Sequence, residues 1–361
     1  MSRPTCAVID LKALSANLDF ARKLAPNKKV MAIVKADAYG HGLARVAHAL
    51  QSADAYGVAC LEEASQLRKE GIDKAIVLLE GPFTADELPE IARLELEIVI
   101  HEPAQIDMLE RARLKTPLRV WLKIDTGMHR LGFSPEAVAD AWGRITHCPN
   151  VAGSVRLMTH LADAHARDDS TTEAQLACFQ KAVKDLPGER CIANSAGLMA
   201  WPHAHADWVR PGLMLYGVSP FSNGSGPEAG LAPVMTLSSK LIAVKKLQAG
   251  DAVGYGGAWH CPSDMPVGVV AAGYGDGYPR HAKVGTSVLV NEVAAPLIGQ
   301  VSMDMLTVDL GKVPTAKVGD AVVLWGKGLP VEIVARQADT IPYELLCGVN
   351  KRIRFIDDGT G

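Results

Sequence analysis

Lys35 closes an apolar run at residues 30–35 and is followed by a polar, glycine-containing stretch at residues 36–42. If the run is a buried strand of a parallel barrel, its last side chain lies at the strand end, where such folds carry their chemistry. A lysine removed from water there can lose its proton and attack a carbonyl group to form a Schiff base. The alternative is a surface lysine that extends its amine into water, and Lys35 considered alone favours this alternative.

Further segments of the chain combine charged, aromatic and glycine residues as the surroundings of Lys35 do. With VKADAYGHG (34–42), they are KIDTGMHRLG (123–132), MTHLADA (158–164), NSAG (194–197), VRPGLMLYG (209–217), VGYGG (253–257), AAGYGDGYPR (271–280), GQVSMDM (299–305) and IPYELL (341–346). In this order the segments resemble the motifs of the alanine racemases, and the resemblance covers nearly the whole chain. It implies a pyridoxal-phosphate enzyme that interconverts L-alanine and D-alanine.

The resemblance implies a set of cofactor contacts. Lys35 would hold pyridoxal phosphate through a Schiff base, and Tyr39, one helical turn later, would bind the phosphate through its hydroxyl. The other residues implied to contact the phosphate are Ser195, Gly212, Leu213 and Tyr343. Hydroxyl groups and backbone N–H groups at loop-to-helix junctions suit a dianion. Alternatives for two of these positions are a packed core tyrosine at Tyr39 and a plain tight turn at Gly212.

Racemisation requires proton exchange on both faces of the α-carbon, and therefore two groups. The resemblance assigns Lys35 to D-alanine and Tyr255 to L-alanine, with His160 supporting Tyr255 and Arg210 behind it. Arg210 would also face the pyridine nitrogen of the cofactor and disfavour its protonation, because arginine cannot accept a proton. A core histidine is the alternative for His160. The family supplies the equivalent of Tyr255 from a partner subunit, which implies a homodimer with shared active sites.

Substrate contacts also follow from the resemblance. Arg130 would receive the carboxylate of alanine, the backbone N–H of Met303 would complete that contact, and Tyr274 would narrow the entrance to the site. Lys123 matches a lysine that is carbamylated in some relatives, and a pairing of Lys123 with Asp125 remains an equal alternative. One departure is a serine immediately before Met303, where many relatives carry cysteine.

Two local patterns hint at other ligands but do not support them. The glycine-rich segments 254–257 and 273–277 follow apolar runs, as nucleotide-binding loops do, but Pro279 follows where a helix would have to open. His203 and His205 have no neighbouring cluster of carboxylates or cysteines. We therefore expect neither a dinucleotide nor a metal ion.

The elements that must position these residues alternate between strands and helices in the first two-thirds of the chain. Apolar runs lie at residues 30–35, 56–60, 75–79, 96–100, 118–124, 153–159, 191–194 and 208–209, and amphipathic stretches at 62–70, 103–114, 135–146 and 172–185. This alternation predicts a parallel sheet. Its length suits a (β/α)8 barrel, with a doubly wound open sheet as the alternative; the resemblance implies the barrel.

The pattern changes after a segment rich in Gly, Ser and Pro at residues 221–230, which predicts a linker. Short β-like runs follow at 241–245, 267–272, 287–290, 305–310 and 321–325, and only 331–338 has a helical pattern. We therefore expect a barrel domain over residues 1–225 and a mostly antiparallel β domain over residues 226–361, which contributes Tyr255, Met303 and Tyr343.

Composition excludes several classes of protein. The 361 residues are 48% hydrophobic and 21% charged with a net charge of −3, which argues against nucleic acid or an anionic membrane as the main partner. Seven scattered cysteines, no apolar run of membrane-spanning length and no signal-peptide pattern predict a reduced, cytoplasmic protein.

Three other functions compete with alanine racemisation. A barrel-type decarboxylase or dehydratase that uses pyridoxal phosphate would not need a second proton-transferring group such as Tyr255. A non-catalytic carrier of the cofactor would resemble the first domain alone. A broad-specificity racemase would be exported and disulfide-bonded in the relatives of that type. The sequence does not choose between supplying D-alanine for peptidoglycan and degrading alanine through its D-isomer.

Overall fold

Strand β1 (Cys6–Asp10) and helix α1 (Leu11–Leu24) come before the barrel in this computed structural model, which describes residues 3–166 and 170–358. Asp10 ends the strand and caps the helix, because its carboxylate accepts a hydrogen bond from the Ala13 N–H at 2.8 Å. The outer bounds predicted for the two domains, residues 1 and 361, lie outside the described residues.

Eight parallel strands close into a barrel, because the last of them pairs with the first. They are β2 (Lys29–Ile33), β3 (Ala55–Val58), β4 (Ala75–Leu78), β5 (Glu97–Ile100), β6 (Arg119–Lys123), β7 (Arg156–Met158), β8 (Arg190–Cys191) and β9 (Trp208–Val209). Each overlaps one of the predicted apolar runs. The closure confirms the barrel and excludes the open sheet.

Helices connect the strands of the barrel. They are α2 (Lys35–Gly40), α3 (Leu43–Ala49), α4 (Leu61–Lys69), α5 (Leu88–Arg93), α6 (Pro103–Arg111), α7 (Val138–His147), α8 (Ser170–Ala182) and α9 (Ser195–Ala200). Pro103 occupies the first turn of α6, where its missing N–H costs nothing. Short 3₁₀ turns at Ala85–Glu87 and Pro135–Ala137 precede α5 and α7, and the Thr84 and Ser134 side chains make no capping hydrogen bond there.

The second domain is built on a mostly antiparallel sheet, as predicted. Its elements are β10 (Met235–Leu247), β11 (Ala252–Val253), β12 (Trp259–His260), β13 (Met265–Val270), β14 (Ser287–Val290), β15 (Val293–Ile298), β16 (Leu306–Asp309), β17 (Ala321–Trp325), α10 (Val331–Gln337), α11 (Pro342–Cys347) and β18 (Arg354–Asp358). The amino-terminal β1 pairs antiparallel with β10 and parallel with β18 in this sheet. The prediction of a single helix here was wrong, because the six residues of α11 are too few to show helical periodicity.

The predicted linker is fastened to the second domain by a buried carboxylate. Glu332 of α10 accepts hydrogen bonds from the N–H groups of Ser219 and Gly226 at 2.9 and 2.7 Å. Glu332 is 3% exposed, so these bonds satisfy a polar group that burial removes from water. Within residues 3–166 and 170–358, no helix has the length and apolar character required to cross a membrane.

Candidate active site

A cavity of about 760 Å³ opens at the carboxyl ends of the barrel strands and reaches α11 of the second domain. Its size lies within the range of small-molecule and cofactor sites. The candidate residues that line it are Lys35, Tyr39, Lys123, Arg130, His160, Ser195, Arg210, Gly212, Leu213 and Tyr343. The fold therefore brings together most of the residues that the sequence singled out, from loops far apart in the chain.

Lys35 opens a turn of left-handed helix. Ala36 through Tyr39 have φ between 52° and 56° and ψ between 40° and 53°. Such a conformation costs about 1–2 kcal/mol for each L-residue, so surrounding groups must hold it. Glu63 of α4 accepts the Ala36 N–H at 2.6 Å, and His41 Nδ1 lies 3.1 and 2.9 Å from the carbonyl oxygens of Ala38 and Tyr39.

The buried His41 side chain stabilises this turn from the protein interior. Since both neighbours of its Nδ1 are carbonyl acceptors, Nδ1 carries the proton. Burial lowers the pKa of His41 to about 4, so the ring is neutral at physiological pH. Its ring also lies against Tyr216, with ring centroids 4.6 Å apart. The left-handed turn, which the sequence predicted only as a helical turn, is thus fixed by buried groups.

Gly212 makes room for the Tyr39 hydroxyl. A Cβ atom at Gly212 would lie 2.7 Å from the Tyr39 hydroxyl oxygen, so a larger residue would displace the tyrosine. Ser195 Oγ accepts the Gly212 N–H at 2.9 Å and the Met214 N–H at 3.3 Å. The ring of Tyr343 lies 5.8 Å from that of Tyr39. Two hydroxyl groups therefore lie beside a position without a side chain, and Tyr343 lines the same cavity, which suits a phosphate group.

A second glycine joins the lysine turn to the other domain. Gly40 has φ of +76°, and a Cβ atom there would overlap the carbonyl oxygen of Leu346 in α11. The same helix carries Tyr343, whose pKa is raised by burial, so its hydroxyl is protonated at physiological pH. The lysine turn and the helix bearing Tyr343 are therefore in close contact through their backbones.

Positive charge dominates the cavity. Its basic side chains are Lys35, Lys123, Arg130 and Arg210, and Glu80 is the one carboxylate that lines it among the described residues. Burial, then the charges of Arg210, Arg130 and Lys35, lowers the pKa of Lys123 to about 8, with Glu80 acting in the opposite direction. Burial and the same cations hold the pKa of His160 well below its usual value. The site is arranged to receive anions.

Arg210 is held by neutral groups. Its Nη2 donates to the Thr159 carbonyl oxygen at 2.8 Å and lies 3.4 Å from His160 Nδ1, and its Nη1 lies 3.0 Å from Cys191 Sγ. No carboxylate pairs with Arg210 within residues 3–166 and 170–358. A guanidinium group can only donate, so His160 Nδ1 accepts and the proton of the neutral ring resides on Nε2.

The Asp125 carboxylate is engaged by its own loop. It accepts the N–H groups of Gly127, Met128 and His129, each at 3.0 Å. Lys123 makes no salt bridge with Asp125, nor with any other carboxylate of the described residues. The lysine thus has no salt-bridge partner among the described residues, a state that burial makes costly.

Three candidates lie outside the cavity, on the surface of the second domain. Tyr255, Tyr274 and Met303 are 69%, 38% and 53% exposed. The Tyr274 N–H donates to the Ser302 carbonyl oxygen at 3.0 Å, so the loops of Tyr274 and Met303 are neighbours. The Met303 N–H donates no hydrogen bond in the part of the chain that the structure describes. These three side chains are therefore exposed, and the Met303 N–H remains available.

Several residues of the site were not predicted from the sequence. Glu80 follows β4 at the same strand ends as the other candidates, and that position was the available signal. Cys191 stands behind Arg210 at the end of β8, and Cys347 ends the helix that carries Tyr343. Glu63 and His41 act on the lysine turn through backbone contacts, for which residue types give no signal.

Known proteins with similar sequences and structures point in one direction. Two family models match the chain, "Alanine racemase, N-terminal domain" at residues 9–220 and "Alanine racemase, C-terminal domain" at residues 234–356. A curated alanine racemase from Nitrosococcus oceani is 56% identical over 96% of this chain and 97% of that protein. One from Halorhodospira halophila is 51% identical over 98% of each chain.

Solved structures agree with the sequence matches. The biosynthetic alanine racemase from Pseudomonas aeruginosa matches with a TM-score of 0.96 and 45% identity, covering 99% of both chains. The alanine racemase from Bartonella henselae with covalently bound pyridoxal phosphate matches with a TM-score of 0.89 and 28% identity, covering 98% of this chain and 99% of that one.

Proposed function

This chain belongs to the alanine racemase family and is a racemase of alanine, and we propose that it works with pyridoxal phosphate and two proton-transferring groups, Lys35 and Tyr255. The observation that carries the proposal is the cavity in which Lys35, a cradle of hydroxyl groups and the unneutralised Arg210 meet. A decarboxylase or a cofactor carrier would not account for the match of both domains.

The cavity residues fit the cofactor. Lys35 would hold its aldehyde carbon, and the hydroxyls of Tyr39, Ser195 and Tyr343, with the backbone at Gly212 and Leu213, would hold its phosphate. Gly212 supports this assignment, because the missing side chain leaves the cradle open. When bound, pyridoxal phosphate supplies an electron sink for the carbanion left when the α-proton is removed.

Arg210 would stand opposite the pyridine nitrogen. Its partners are carbonyl oxygens, a thiol and an imidazole, so no carboxylate of the described residues neutralises its charge. A permanent positive charge there disfavours protonation of the ring nitrogen. Negative charge would then spread less into the ring, and we expect fewer side reactions such as transamination.

Two groups on opposite faces of the α-carbon would exchange its proton. Lys35 Nζ would act on one face and Tyr255 Oη on the other. Since Tyr255 is exposed and does not line the cavity of its own chain, we propose that a second copy supplies it, together with Tyr274 and Met303. The active form would be a homodimer with shared sites.

His160 would prepare Tyr255 for this role. Arg210 donates toward its Nδ1, which leaves the Nε2–H to donate to a phenolic oxygen. A hydrogen bond donated to the phenolate stabilises the ionised form and lowers the pKa of the tyrosine. Tyr255 would then accept the α-proton of L-alanine at a lower pH than a free tyrosine.

The substrate carboxylate would lie between Arg130 and the Met303 N–H, while Tyr274 would favour a small side chain. Lys123 has a pKa of about 8 and lacks a carboxylate partner among the described residues, both of which favour reaction of its amine with CO₂. In that reaction the nitrogen bonds to carbon and releases a proton, and the resulting carbamate would pair with Arg130.

The physiological role we propose is the supply of D-alanine for peptidoglycan. The solved relative from Pseudomonas aeruginosa, 45% identical, is described as biosynthetic, which favours supply over degradation. The seven cysteines are all unpaired, which fits a reducing compartment, and we propose the cytoplasm.

The test combines a visible absorption spectrum with a circular dichroism measurement of racemisation. The purified protein, Lys35→Ala and Tyr255→Phe are compared for the visible absorbance of the lysine–cofactor linkage and for the decay of L-alanine circular dichroism to zero. We expect Lys35→Ala to lose both signals. Tyr255→Phe should keep the absorbance and lose at least about a hundredfold in rate. Absorbance without racemisation in the unmodified protein would reject the assignment, and no absorbance would reject the cofactor.

A further inference from the structure

A buried carboxylate joins two arginines beneath the exposed Tyr274 and Met303. The Asp276 side chain is 0% exposed and accepts hydrogen bonds from Arg3 Nη2 at 2.7 Å and from Arg352 Nε at 2.8 Å. It also accepts the Gly273 N–H at 2.9 Å. Burial opposes its ionisation, but the hydrogen bonds from Arg3 and Arg352 outweigh burial and hold the pKa of the carboxyl below its usual value. Asp276 is therefore a charged anchor.

Both arginines extend from this anchor to the turn that carries Met303. Arg3 Nη2 donates to the Asp304 carbonyl oxygen at 2.6 Å, and Arg352 Nη2 donates to the Asp304 carboxylate at 2.7 Å. Arg352 Nη2 also lies 3.4 Å from the Met303 carbonyl oxygen. The carbonyl oxygens of Met303 and Asp304 thus face the two arginines. The Met303 N–H has no acceptor in the described residues.

The same anchor holds the turn that carries Tyr274. Asp276 ends the 3₁₀ turn Tyr274–Asp276, and the Gly275 N–H donates to the Met303 carbonyl oxygen at 2.8 Å. A Cβ atom at Gly275 would lie 2.8 Å from Arg352 Nη2, so the arginine packs directly on the turn. Two backbone hydrogen bonds join the turns of Tyr274 and Met303 directly. One ionic cluster, which we call the Asp276 cluster (Arg3, Asp276, Asp304 and Arg352), holds both turns from the protein side.

We propose that Asp276 and Arg352 are positioning residues that determine substrate specificity by fixing the Met303 N–H relative to Tyr274. This proposal rests on the proposed function, in which the N–H binds the carboxylate and Tyr274 limits the side chain. If the cluster loosens, the carboxylate contact weakens and the limit on side-chain size relaxes. Lys35 and its cradle do not touch the cluster, so the cofactor should stay bound.

The principal test replaces Asp276 by Asn in the holoenzyme. Asp276→Asn keeps the shape and removes the charge that both arginines share. We expect the KM for alanine to rise about tenfold with kcat within about twofold, and the kcat/KM ratio of L-serine to L-alanine to increase. Asp320→Asn is the matched control, because Asp320 also accepts a side-chain and a backbone donor in the second domain without contacting the cluster.

A second pair of variants covers the case in which Asp276→Asn does not fold. Arg352→Lys keeps the charge but cannot reach Asp276, Asp304 and Met303 together, whereas Arg352→Gln removes the charge as well. We expect a smaller rise in the KM of the lysine variant than in that of the glutamine variant. If both leave the KM and the serine-to-alanine ratio unchanged, the proposal is wrong, whatever happens to thermal stability.

The spectrum separates a failure of this proposal from a failure of the proposed function. If the unmodified protein racemises alanine but the cluster variants change only their stability, the specificity role is rejected and the racemase mechanism stands. If the variants lose the cofactor absorbance, the cluster supports the fold of the site and does not tune specificity, which also overturns the proposal. If the unmodified protein lacks the absorbance, the proposed mechanism itself fails.

Discussion

Charged side chains are paired with opposite charges at one end of the barrel and are largely unpaired at the other. At the amino ends of the strands, Glu97 accepts hydrogen bonds from Arg156 at 2.6 Å and from the Trp121 indole at 2.7 Å. Glu189 accepts from the same arginine at 2.9 Å and from the Trp208 indole at 2.8 Å. The Arg156 guanidinium also lies over both indole rings, 5.0 and 5.6 Å from their centroids. Glu97, Glu189 and Arg156 at this end thus each have a partner of opposite sign.

At the carboxyl ends, four cations line the cavity and Glu80 is the single lining carboxylate of the described residues. Burial and mutual repulsion lower the pKa of Lys123 to about 8. Unpaired charge of one sign costs folding free energy, and a carboxylate- or phosphate-bearing ligand removes that cost when it binds. We therefore expect the paired end of the barrel to serve stability, and we propose that the unpaired end serves ligand binding.

We expect the largest loss of stability when an ion pair at the amino ends of the strands is removed. Glu97→Gln removes the buried carboxylate between Arg156 and Trp121, and we expect the free energy of unfolding to fall by about 3 kcal/mol. Urea denaturation of the apoprotein measures the change. The control is Glu90→Gln, which breaks the exposed pair with Arg93 and should change stability little. Equal effects of the two variants would remove the contrast between the ends.

The next effect concerns pH at the unpaired end. The pKa of Lys123 falls from 10.5 in the unfolded chain to about 8 in the folded protein. Between these values the unfolded chain binds the proton and the folded protein does not, so stability rises as pH increases from about 8 to 10.5. We expect a gain of about 3 kcal/mol in the apoprotein relative to Lys123→Met.

Urea midpoints of both proteins at several pH values check this prediction, and the difference between them cancels the titration of other groups. If the urea midpoints of the two proteins change with pH in parallel, the neighbours of Lys123 do not lower its pKa. A carbamylated lysine would also flatten the difference, and removal of CO₂ from the buffers distinguishes that case.

We expect a comparable loss of activity when the charge of Arg210, which we propose faces the cofactor, is reversed. Arg210→Glu supplies a group that can protonate the ring nitrogen. We expect racemisation to slow about a hundredfold, equivalent to about 2.7 kcal/mol of barrier, and transamination to take a larger share of turnovers. Pyruvate formation and the circular dichroism of alanine are measured in the same reaction. Arg210→Lys keeps the charge and should lose less; unchanged partitioning in Arg210→Glu would count against the role of Arg210.

The smallest effect lies at the rim of the paired end. Lys29 Nζ lies 2.5 Å from Glu189, but the two side chains are 49% and 32% exposed. We expect Lys29→Met to change the free energy of unfolding by less than about 1 kcal/mol, and by less still in high salt. A loss as large as that of Glu97→Gln would show that burial is not what distinguishes these pairs.

Strands whose pairing is local or whose burial is complete could be predicted from the sequence. β14 and β17 begin and end where the β-like runs do, at Ser287–Val290 and Ala321–Trp325. β1 and β18 were not predicted, because Cys6–Asp10 and Arg354–Asp358 pair with each other only when the two ends of the chain meet. The side chains of β18 are mostly exposed and carry no apolar pattern, whereas Ala7 and Ile9 of β1 are fully buried.

In the candidate site, too, residues in local motifs could be predicted and contacts between distant residues could not. Strand-end residues such as Lys35 and Arg210 belong to motifs that the sequence displays. The left-handed sense of the turn after Lys35 depends on Glu63, 27 positions away, and the Asp276 cluster joins residues 273 positions apart. No local propensity encodes contacts of this kind, because each requires the finished fold.

The turn that begins at Lys35 also has a chirality of its own. Ala36 and Ala38 occupy backbone angles that mirror those of an ordinary helix. A D-residue adopts these angles without the steric cost that an L-residue bears. In a chemically synthesised chain, D-alanine at position 38 would relax the backbone beside Lys35. The isomer that we propose this enzyme supplies is thus the one its own lysine turn would favour as a building block.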